Sequence, residues 1–143
     1  MQACTFFGHG NGCAVSDETI LAAIRAVATQ GVKLFYVGNQ GDFDRRVRGC
    51  LNKVCQECPD ISYFVVLAYL PSEGKEAIPN SIYPEIEEGP ARFAISRRNR
   101  WMVEHASHCI CYVAHRGGGA YQFASLAKRK GLQIINLAPS NLI

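Results

Sequence analysis

Short apolar runs alternate along this chain with segments in which apolar residues recur every three or four positions. The short runs predict β-strands at residues 3–7, 33–37, 62–70, 109–114 and 133–137. The periodic segments between them predict amphipathic helices. A regular alternation of strand and helix is typical of a parallel sheet with helices on both faces. We therefore predict an α/β fold, a Rossmann-like three-layer sandwich with a mainly parallel sheet of about five strands, forming a single domain over residues 1–143.

Local signals mark where these elements begin and end. Ser16 and Asp17 are expected to cap the first helix, and Gly31 is expected to end it. The run at residues 62–70 is almost purely apolar, as expected for a central strand that is covered on both faces. Residues 71–90 are predicted to form one long irregular segment, and a loop of this length in a small domain usually serves function or moves.

Composition and charge restrict the class of protein. The chain has 143 residues, 48% of them hydrophobic and 19% charged, and a formal net charge of +3. This charge suits an anionic small ligand, but it is too small to predict nucleic-acid binding. The N-terminus lacks the pattern of a secretory signal, and the longest apolar run is too short to span a bilayer. We therefore expect a cytoplasmic protein with no membrane partner.

The seven cysteines do not predict a metal site. Cys55 and Cys58 have the spacing of metal or redox ligands, but neither a second such pair nor a nearby histidine pair accompanies them. Cys4, Cys109 and Cys111 fall in strand-like runs, where cysteine behaves as a small buried apolar residue. A reducing compartment is compatible with all of them.

Three predicted strands end in glycine-rich loops that open helices, at residues 8–12, 38–44 and 115–119. In a parallel sheet these loops gather at the carboxyl edge, which is where ligands bind. Glycine lets the backbone approach a ligand, and a helix N-terminus offers free N–H groups to phosphate. The triple glycine at residues 117–119 predicts an anion-binding nest, with a tight structural turn as the alternative. The absence of a following Lys-Ser/Thr excludes an ordinary P-loop.

The candidate ligand-binding residues belong to these loops, together with one arginine of the third predicted helix. They are Gly8, His9, Gly38, Asn39, Gln40, Gly41, Asp44, Arg98, Arg116, Gly117, Gly118, Gly119, Ala120 and Gln122. Several alternatives stay open. His9 either contacts the ligand or makes a loop hydrogen bond, and Asp44 either caps the second helix or accepts a ribose hydroxyl. Asn39 and Gln40 either contact the base or the sugar of the ligand, or are present because their residue types favour a turn.

Helical spacing separates Arg97, Arg98 and Arg100, so only one or two of them can face the site. At least one is expected to be a solvated surface charge. Tyr69 and Trp101 are candidates for stacking on a base, although core packing is the commoner role of such aromatic residues.

Five ordered blocks give the chain a resemblance to a known family. The blocks CTFFGH, FYVGNQGDFD, VVLAYLP, RFAISRRNRWM and YVAHRGGGAYQFASLAKRKG resemble the SLOG superfamily, and within it the small bacterial DUF1273-like proteins. The resemblance implies a Rossmann-like fold and the binding of nucleotides or nucleotide-derived ligands. It also implies a homodimer or higher homo-oligomer, because relatives often pair through helices that flank the sheet.

The family's LOG phosphoribohydrolases carry a helix arginine and a PGGxGTxxE loop that act on nucleoside monophosphates. Arg98 matches that arginine, and the triple glycine matches the loop with Arg116 in place of proline. Tyr121 stands at the threonine position and Ala124 at the position of the catalytic glutamate. Gln122 is nearby, but an amide does not ionise. Catalysis is therefore left open.

The leading functional hypothesis is binding of a nucleotide or nucleotide-derived ligand in a sensor or carrier role, with no other cofactor assigned. The alternative is a hydrolase that cleaves an N-glycosidic bond, for which Glu85, Glu87 and Glu88 in the long loop are candidate acids or bases. A third hypothesis is single-stranded DNA binding, as in the SLOG protein DprA, for which the basic helix faces are the only support.

Overall fold

Strands and helices alternate in the computed structural model of the protein, which describes residues 2–70, 78–84 and 89–143. The strands within this part are β1 (Cys4–Gly8), β2 (Leu34–Val37), β3 (Ser62–Val66), β4 (Ser81–Ile82), β5 (His108–Tyr112) and β6 (Gln133–Asn136). The helices within it are α1 (Asp17–Thr29), α2 (Gly41–Glu57), α3 (Ala94–Glu104) and α4 (Gly118–Arg129). A single 3₁₀ turn, Ala91–Phe93, leads into α3.

The six strands form one sheet in the order β4-β3-β2-β1-β5-β6, and every neighbouring pair is parallel. The chain moves outward from β1 through β2 and β3 to β4. It then crosses back through α3 to β5, on the other side of β1. The direction of winding therefore reverses between β1 and β5, and a reversal of this kind opens a crevice at the carboxyl edge. The predicted α/β fold is confirmed.

Two apolar cores lie on opposite faces of the sheet. Successive strand residues point to opposite faces, so Phe6 packs with α1 and α2 while Phe7 packs with α3 and α4. Phe6 lies against Phe35 of β2, with ring centroids 6.1 Å apart. Phe7 lies 5.8 Å from Phe123 of α4. Burial of aromatic residues on both faces fixes the three-layer arrangement.

The predicted ends of the first helix are confirmed, with Ser16 as the cap, whereas Asp17 is the first residue of the helix. The Ser16 hydroxyl accepts a hydrogen bond from the Thr19 N–H at 3.2 Å, and so caps α1. Gly31 follows the helix at a φ of +100°, a conformation that favours glycine.

The sheet has one strand more than the five predicted, because part of the segment 71–90 is a strand and not an irregular loop. Residues 71–77 and 85–88 of that predicted segment lie outside the described residues. Ser81–Ile82 forms the edge strand β4, where the Val65 N–H donates to the Asn80 carbonyl oxygen at 2.8 Å and the Leu67 N–H to that of Ile82 at 2.9 Å. Two residues are too few to show a periodic pattern. The third strand also ends at Val66, earlier than predicted.

Within the described ranges, none of the helices combines the length and the apolar character needed to cross a bilayer.

Candidate functional site

A cleft of about 480 Å³ opens at the carboxyl edge of the sheet, where the winding reverses between β1 and β5. We call it the glycine cleft. The residues that line it are Phe6, Phe7, Gly8, His9, Gly10, Asn11, Gln40, Gly41, Asp44, Ile95, Arg98, Asn99, Met102, His115, Gly117, Gly118, Gly119 and Ala120. Its volume is in the range of small-molecule sites.

The N-terminus of α4 opens into this cleft. Gly117 is the cap residue and has no side chain to cap the helix, and within the described residues no side chain accepts from the first backbone N–H groups of α4. Gly118 has a φ of +87°, which favours glycine, and a Cβ at Gly119 would meet nothing within 4 Å. Exposed N–H groups at a helix N-terminus, with no side chain in front of them, suit an anion.

The N-terminus of α2 faces the same cleft from the other side. The cap residue, Gln40, makes no side-chain cap, and Gly41 has a φ of +86°. The Asp42 N–H donates to the Gly10 carbonyl oxygen at 2.8 Å, which holds the loop after β1 against the start of α2. A Cβ on Gly41 would lie 2.7 Å from the Gly10 Cα, so this contact requires glycine.

Two histidines stack across the crevice. The His9 and His115 rings are 3.7 Å apart and nearly parallel, at 7°. The His9 Nε2 accepts a hydrogen bond from the Ala114 N–H at 3.0 Å, so the neutral ring carries its proton on Nδ1. Burial lowers the pKa of His9, and the neighbouring His115 lowers it further. The loop hydrogen bond predicted as one role of His9 is present, and the ring also lines the cleft.

Arg98 is the buried cation of the cleft, with 2% of its surface exposed. Its Nη1 donates to the Val66 carbonyl oxygen at 2.9 Å, and its Nε donates to the Asn99 Oδ1 at 2.7 Å. Burial lowers the pKa of Arg98, while the charge of Asp44 opposes that shift. Arg100 is exposed, as expected for at least one member of this cluster. The guanidinium of Arg98 is therefore held in a fixed position at the edge of the sheet.

Asp44 is the buried carboxyl of the cleft, with 8% of its surface exposed. Its Oδ2 accepts a hydrogen bond from the Gln40 N–H at 3.1 Å, which is the predicted capping contact at the start of α2. Burial raises the pKa of Asp44 from 3.8 to about 6, against the opposing effects of that hydrogen bond and of Arg98 and Arg48. The carboxyl therefore changes charge near neutral pH.

Gly38 provides the space that these two buried groups border. A Cβ on Gly38 would lie 2.7 Å from the Asp44 Oδ2 and 2.8 Å from the Arg98 Nη1. Gly8 has a similar steric role, since its Cβ would lie 2.2 Å from the Phe43 ring. Both glycines thus serve packing behind the cleft.

Most of the predicted ligand-binding residues line the glycine cleft together. Those that do are Gly8, His9, Gln40, Gly41, Asp44, Arg98, Gly117, Gly118, Gly119 and Ala120. Those that do not are Gly38, Asn39, Arg116 and Gln122. The Asn39 side chain instead accepts a hydrogen bond from the Gln40 amide at 3.3 Å, and Arg116 and Gln122 are exposed.

Sequence reasoning missed several lining residues. Ile95, Asn99 and Met102 surround Arg98 at helical spacing, so the face of α3 that carries Arg98 was the available signal. His115 lies in the loop between β5 and the glycine-rich start of α4, and this position was also readable from the sequence. Trp101 packs against Tyr36 and His105 and does not line the cleft.

Ala124 is fully buried and belongs to the core beneath α4. Glu85, Glu87 and Glu88 lie outside the described residues. In the part of the chain that the structure describes, no group of three or more histidine, cysteine, aspartate or glutamate residues is arranged to hold a metal ion. Cys55 and Cys58 are free thiols, as are the other five cysteines.

The comparisons with known proteins do not assign a family. No protein-family model matches the chain, and no curated protein matches it.

Proposed function

We propose that the glycine cleft binds a nucleotide or a nucleotide-derived ligand, in a sensor or carrier role. The observation that carries this proposal is the meeting of two helix N-termini, those of α2 and α4, at the crevice between β1 and β5, where the cap residues Gln40 and Gly117 make no side-chain cap hydrogen bond. Such a crevice is the usual ligand site of parallel α/β sheets. The resemblance to the SLOG superfamily implies the same ligand class.

Phosphate is the ligand group that these features favour. The N-terminus of α4 offers backbone N–H donors and a partial positive charge, and Gly119 leaves the approach open. Arg98 adds a full positive charge whose position is fixed by the Val66 carbonyl group and by Asn99. A fixed guanidinium loses little entropy when it pairs with an anion. Together these groups favour a phosphate over an uncharged ligand.

The sensor or carrier role is supported by the side chain at one position of α4. The position that matches the catalytic glutamate of LOG enzymes is Ala124, whose side chain is in the core. An alanine neither donates nor accepts a proton, so the catalytic step of those enzymes lacks its acid-base residue here.

The test is thermal melting against a panel of nucleotides, with the Gly119→Asp variant. The wild-type melting temperature should rise with the right nucleotide, and chromatography should recover that nucleotide intact. An aspartate in the first turn of α4 favours the helix but repels phosphate, so this variant should keep its melting temperature and lose affinity by roughly tenfold or more. Equal affinity in the two proteins would contradict the proposed site.

The Gly49→Asp variant is the matched control. Gly49 is exposed on α2, a Cβ there would meet nothing within 4 Å, and it does not line the glycine cleft. The substitution changes the net charge by the same amount as Gly119→Asp. Unchanged nucleotide affinity in this control is expected, because the charge is then far from the helix N-termini.

One observation favours hydrolysis as a second candidate function. Asp44 lines the glycine cleft, and its pKa of about 6 suits an acid or base that works near neutral pH. Recovery of free base and sugar phosphate in the same chromatography, lost in an Asp44→Asn variant, would establish this function. Product formation that Asp44→Asn leaves unchanged would exclude Asp44 as the acid or base.

A further inference from the structure

A second cleft, of about 400 Å³, lies at the same carboxyl edge of the sheet, beyond the ends of β3 and β4. We call it the tyrosine cleft. Its lining includes Tyr69, Leu70, Tyr83, Ala94, Arg97 and Arg98. The 3₁₀ turn before α3 also contributes to it through Ala91. Of the residues that line it, Arg98 is the one that also lines the glycine cleft.

The tyrosine cleft exposes large apolar side chains to solvent. Tyr69 is 49% exposed, Tyr83 is 50% exposed and Leu70 is 67% exposed. The Tyr69 hydroxyl lies 3.5 Å from the Ala91 carbonyl oxygen, which ties the ring to the wall of the cleft. Two half-exposed aromatic rings around one concave space offer flat apolar surfaces to a planar ring.

Arg98 connects the two clefts, because it lines both of them. Its Nη1 donates to the carbonyl oxygen of Val66, the last residue of β3, so the guanidinium lies at the carboxyl end of that strand. Arg97, the preceding residue, lines only the tyrosine cleft and donates to the Pro90 carbonyl oxygen at 2.9 Å. The two spaces are thus neighbouring parts of one edge, joined at a buried cation.

We propose that the tyrosine cleft binds the aromatic base of the ligand whose phosphate occupies the glycine cleft. This inference rests on the proposed function and narrows its ligand class to nucleotides that carry a planar base, as opposed to sugar phosphates or inorganic phosphates. The ligand then extends along the edge of the sheet from the N-terminus of α4, past Arg98, to Tyr69 and Tyr83.

The physical reasons are polarity and shape. The glycine cleft presents backbone N–H groups and a buried guanidinium, which suit the anionic end of a ligand. The tyrosine cleft presents aromatic and aliphatic surface, with Arg97 beside it. Any of the bases can stack on an aromatic ring, because every base has a π-face. A ligand with one anionic and one planar aromatic end satisfies both spaces.

The experiment compares the four ribonucleoside diphosphates with inorganic pyrophosphate by calorimetric titration of the full chain. We expect wild-type protein to bind at least one of the nucleotides roughly tenfold or more tightly than pyrophosphate, as loss of one stacked base contact typically costs this much. Tyr69→Ala and Tyr83→Ala should each reduce that preference and leave pyrophosphate affinity unchanged. Tyr69→Phe should keep the preference, because it keeps the ring.

Phe93→Ala is the control variant. Phe93 is 47% exposed on the 3₁₀ turn but does not line the tyrosine cleft. Removal of its ring should therefore change neither the affinity for nucleotides nor the affinity for pyrophosphate. Unchanged pyrophosphate binding in the tyrosine variants also shows that they fold.

The outcomes separate the two proposals. Nucleotide affinity that survives both tyrosine substitutions, or equal affinity of nucleotides and pyrophosphate in the wild type, would overturn this inference and leave the glycine cleft as a phosphate site. Failure of the wild type to bind any nucleotide or pyrophosphate would overturn the proposed function itself, and this inference with it.

Discussion

At the scale of single residues, the site depends on a buried carboxyl group, that of Asp44, and a buried guanidinium group, that of Arg98, which both lie next to Gly38. Asp44 and Arg98 both approach the position that a Cβ on Gly38 would take, and both are almost fully buried. The cost of burying the carboxylate exceeds the combined help of Arg98, Arg48 and the Gln40 N–H, because the pKa of Asp44 is raised and not lowered. Ionised Asp44 is therefore a source of instability.

This imbalance predicts a pH-dependent effect of Asp44→Asn on stability. The folded-state pKa of about 6 lies above the ordinary value of 3.8, so the contribution of Asp44 to stability is complete at low pH and is lost as pH rises through 6. The difference corresponds to about 3 kcal/mol. Asparagine keeps an oxygen for the Gln40 N–H and never ionises. We expect the free energy of unfolding of the variant to exceed that of the wild type by up to about 3 kcal/mol at pH 7.5. At pH 4 it should not exceed the wild-type value.

Urea unfolding at both pH values checks this prediction. Effects of pH on other groups are common to the two proteins and cancel in the difference. A difference that is the same at pH 4 and pH 7.5, or a variant that is less stable at pH 7.5, would show that the charge of Asp44 does not destabilise the fold.

At the scale of elements, Arg46 of α2 fixes the loop between β1 and α1. Its Nη1 donates to the Cys13 carbonyl oxygen at 3.1 Å, its Nη2 donates to that of Val15, and it pairs with Asp17 at 3.1 Å. Arg46 is thus bonded to backbone that leads into the cleft. The same loop supplies Gly10 and Asn11 to the glycine cleft. Cleft shape therefore depends on a contact between α2 and the start of α1.

We predict that Arg46→Leu destabilises the protein by about 1–3 kcal/mol, because two carbonyl oxygens lose their donors. Nucleotide affinity should fall as well, since the loop is then less fixed. Urea unfolding and ligand titration measure the two effects. Arg45→Leu is the matched control: Arg45 is the preceding residue, and among the described residues its ion pair is with Asp42 at the surface, so its loss should cost under about 1 kcal/mol. Equal effects of the two substitutions would contradict the role given to Arg46.

At the scale of the whole molecule, stability is expected to be greatest at the centre of the sheet. β1 is paired on both sides, by β2 and β5, and all five residues of β5 are buried. β4 and β6 are the two edges, and β4 has only two residues, both half-buried. The cleft opens between β1 and β5, so the ligand site is built on the best-protected strands.

Hydrogen exchange followed by NMR tests this gradient. Amides of β1 and β5 should exchange only through global unfolding, whereas those of β4 should exchange through local opening at much lower free energy. A nucleotide that binds the glycine cleft should slow exchange in the first turn of α4. Equal protection of β4 and β1 would contradict the gradient.

Whole-chain organisation was readable from the sequence because its signals are local. Apolar periodicity marks each strand and helix, Ser16 supplies the cap of α1, and glycine-rich loops mark the carboxyl ends of the strands. The handedness of strand–helix–strand connections then brings those loops to one edge. Such reasoning predicted the fold class and the main lining of the cleft. It missed β4, because two residues carry no period and depend on pairing with β3.

The sequence by itself thus determined the layers, the edge that carries the site and the glycine loops that line it, because each follows from short-range patterns. Only the tertiary structure decided that Arg98 is buried while Arg100 is exposed, that Asp44 has a raised pKa, and that Arg116 and Gln122 are exposed and do not line the cleft. These properties depend on which distant groups surround a side chain. Burial and electrostatic interactions are set by neighbours in space, and no local pattern encodes them.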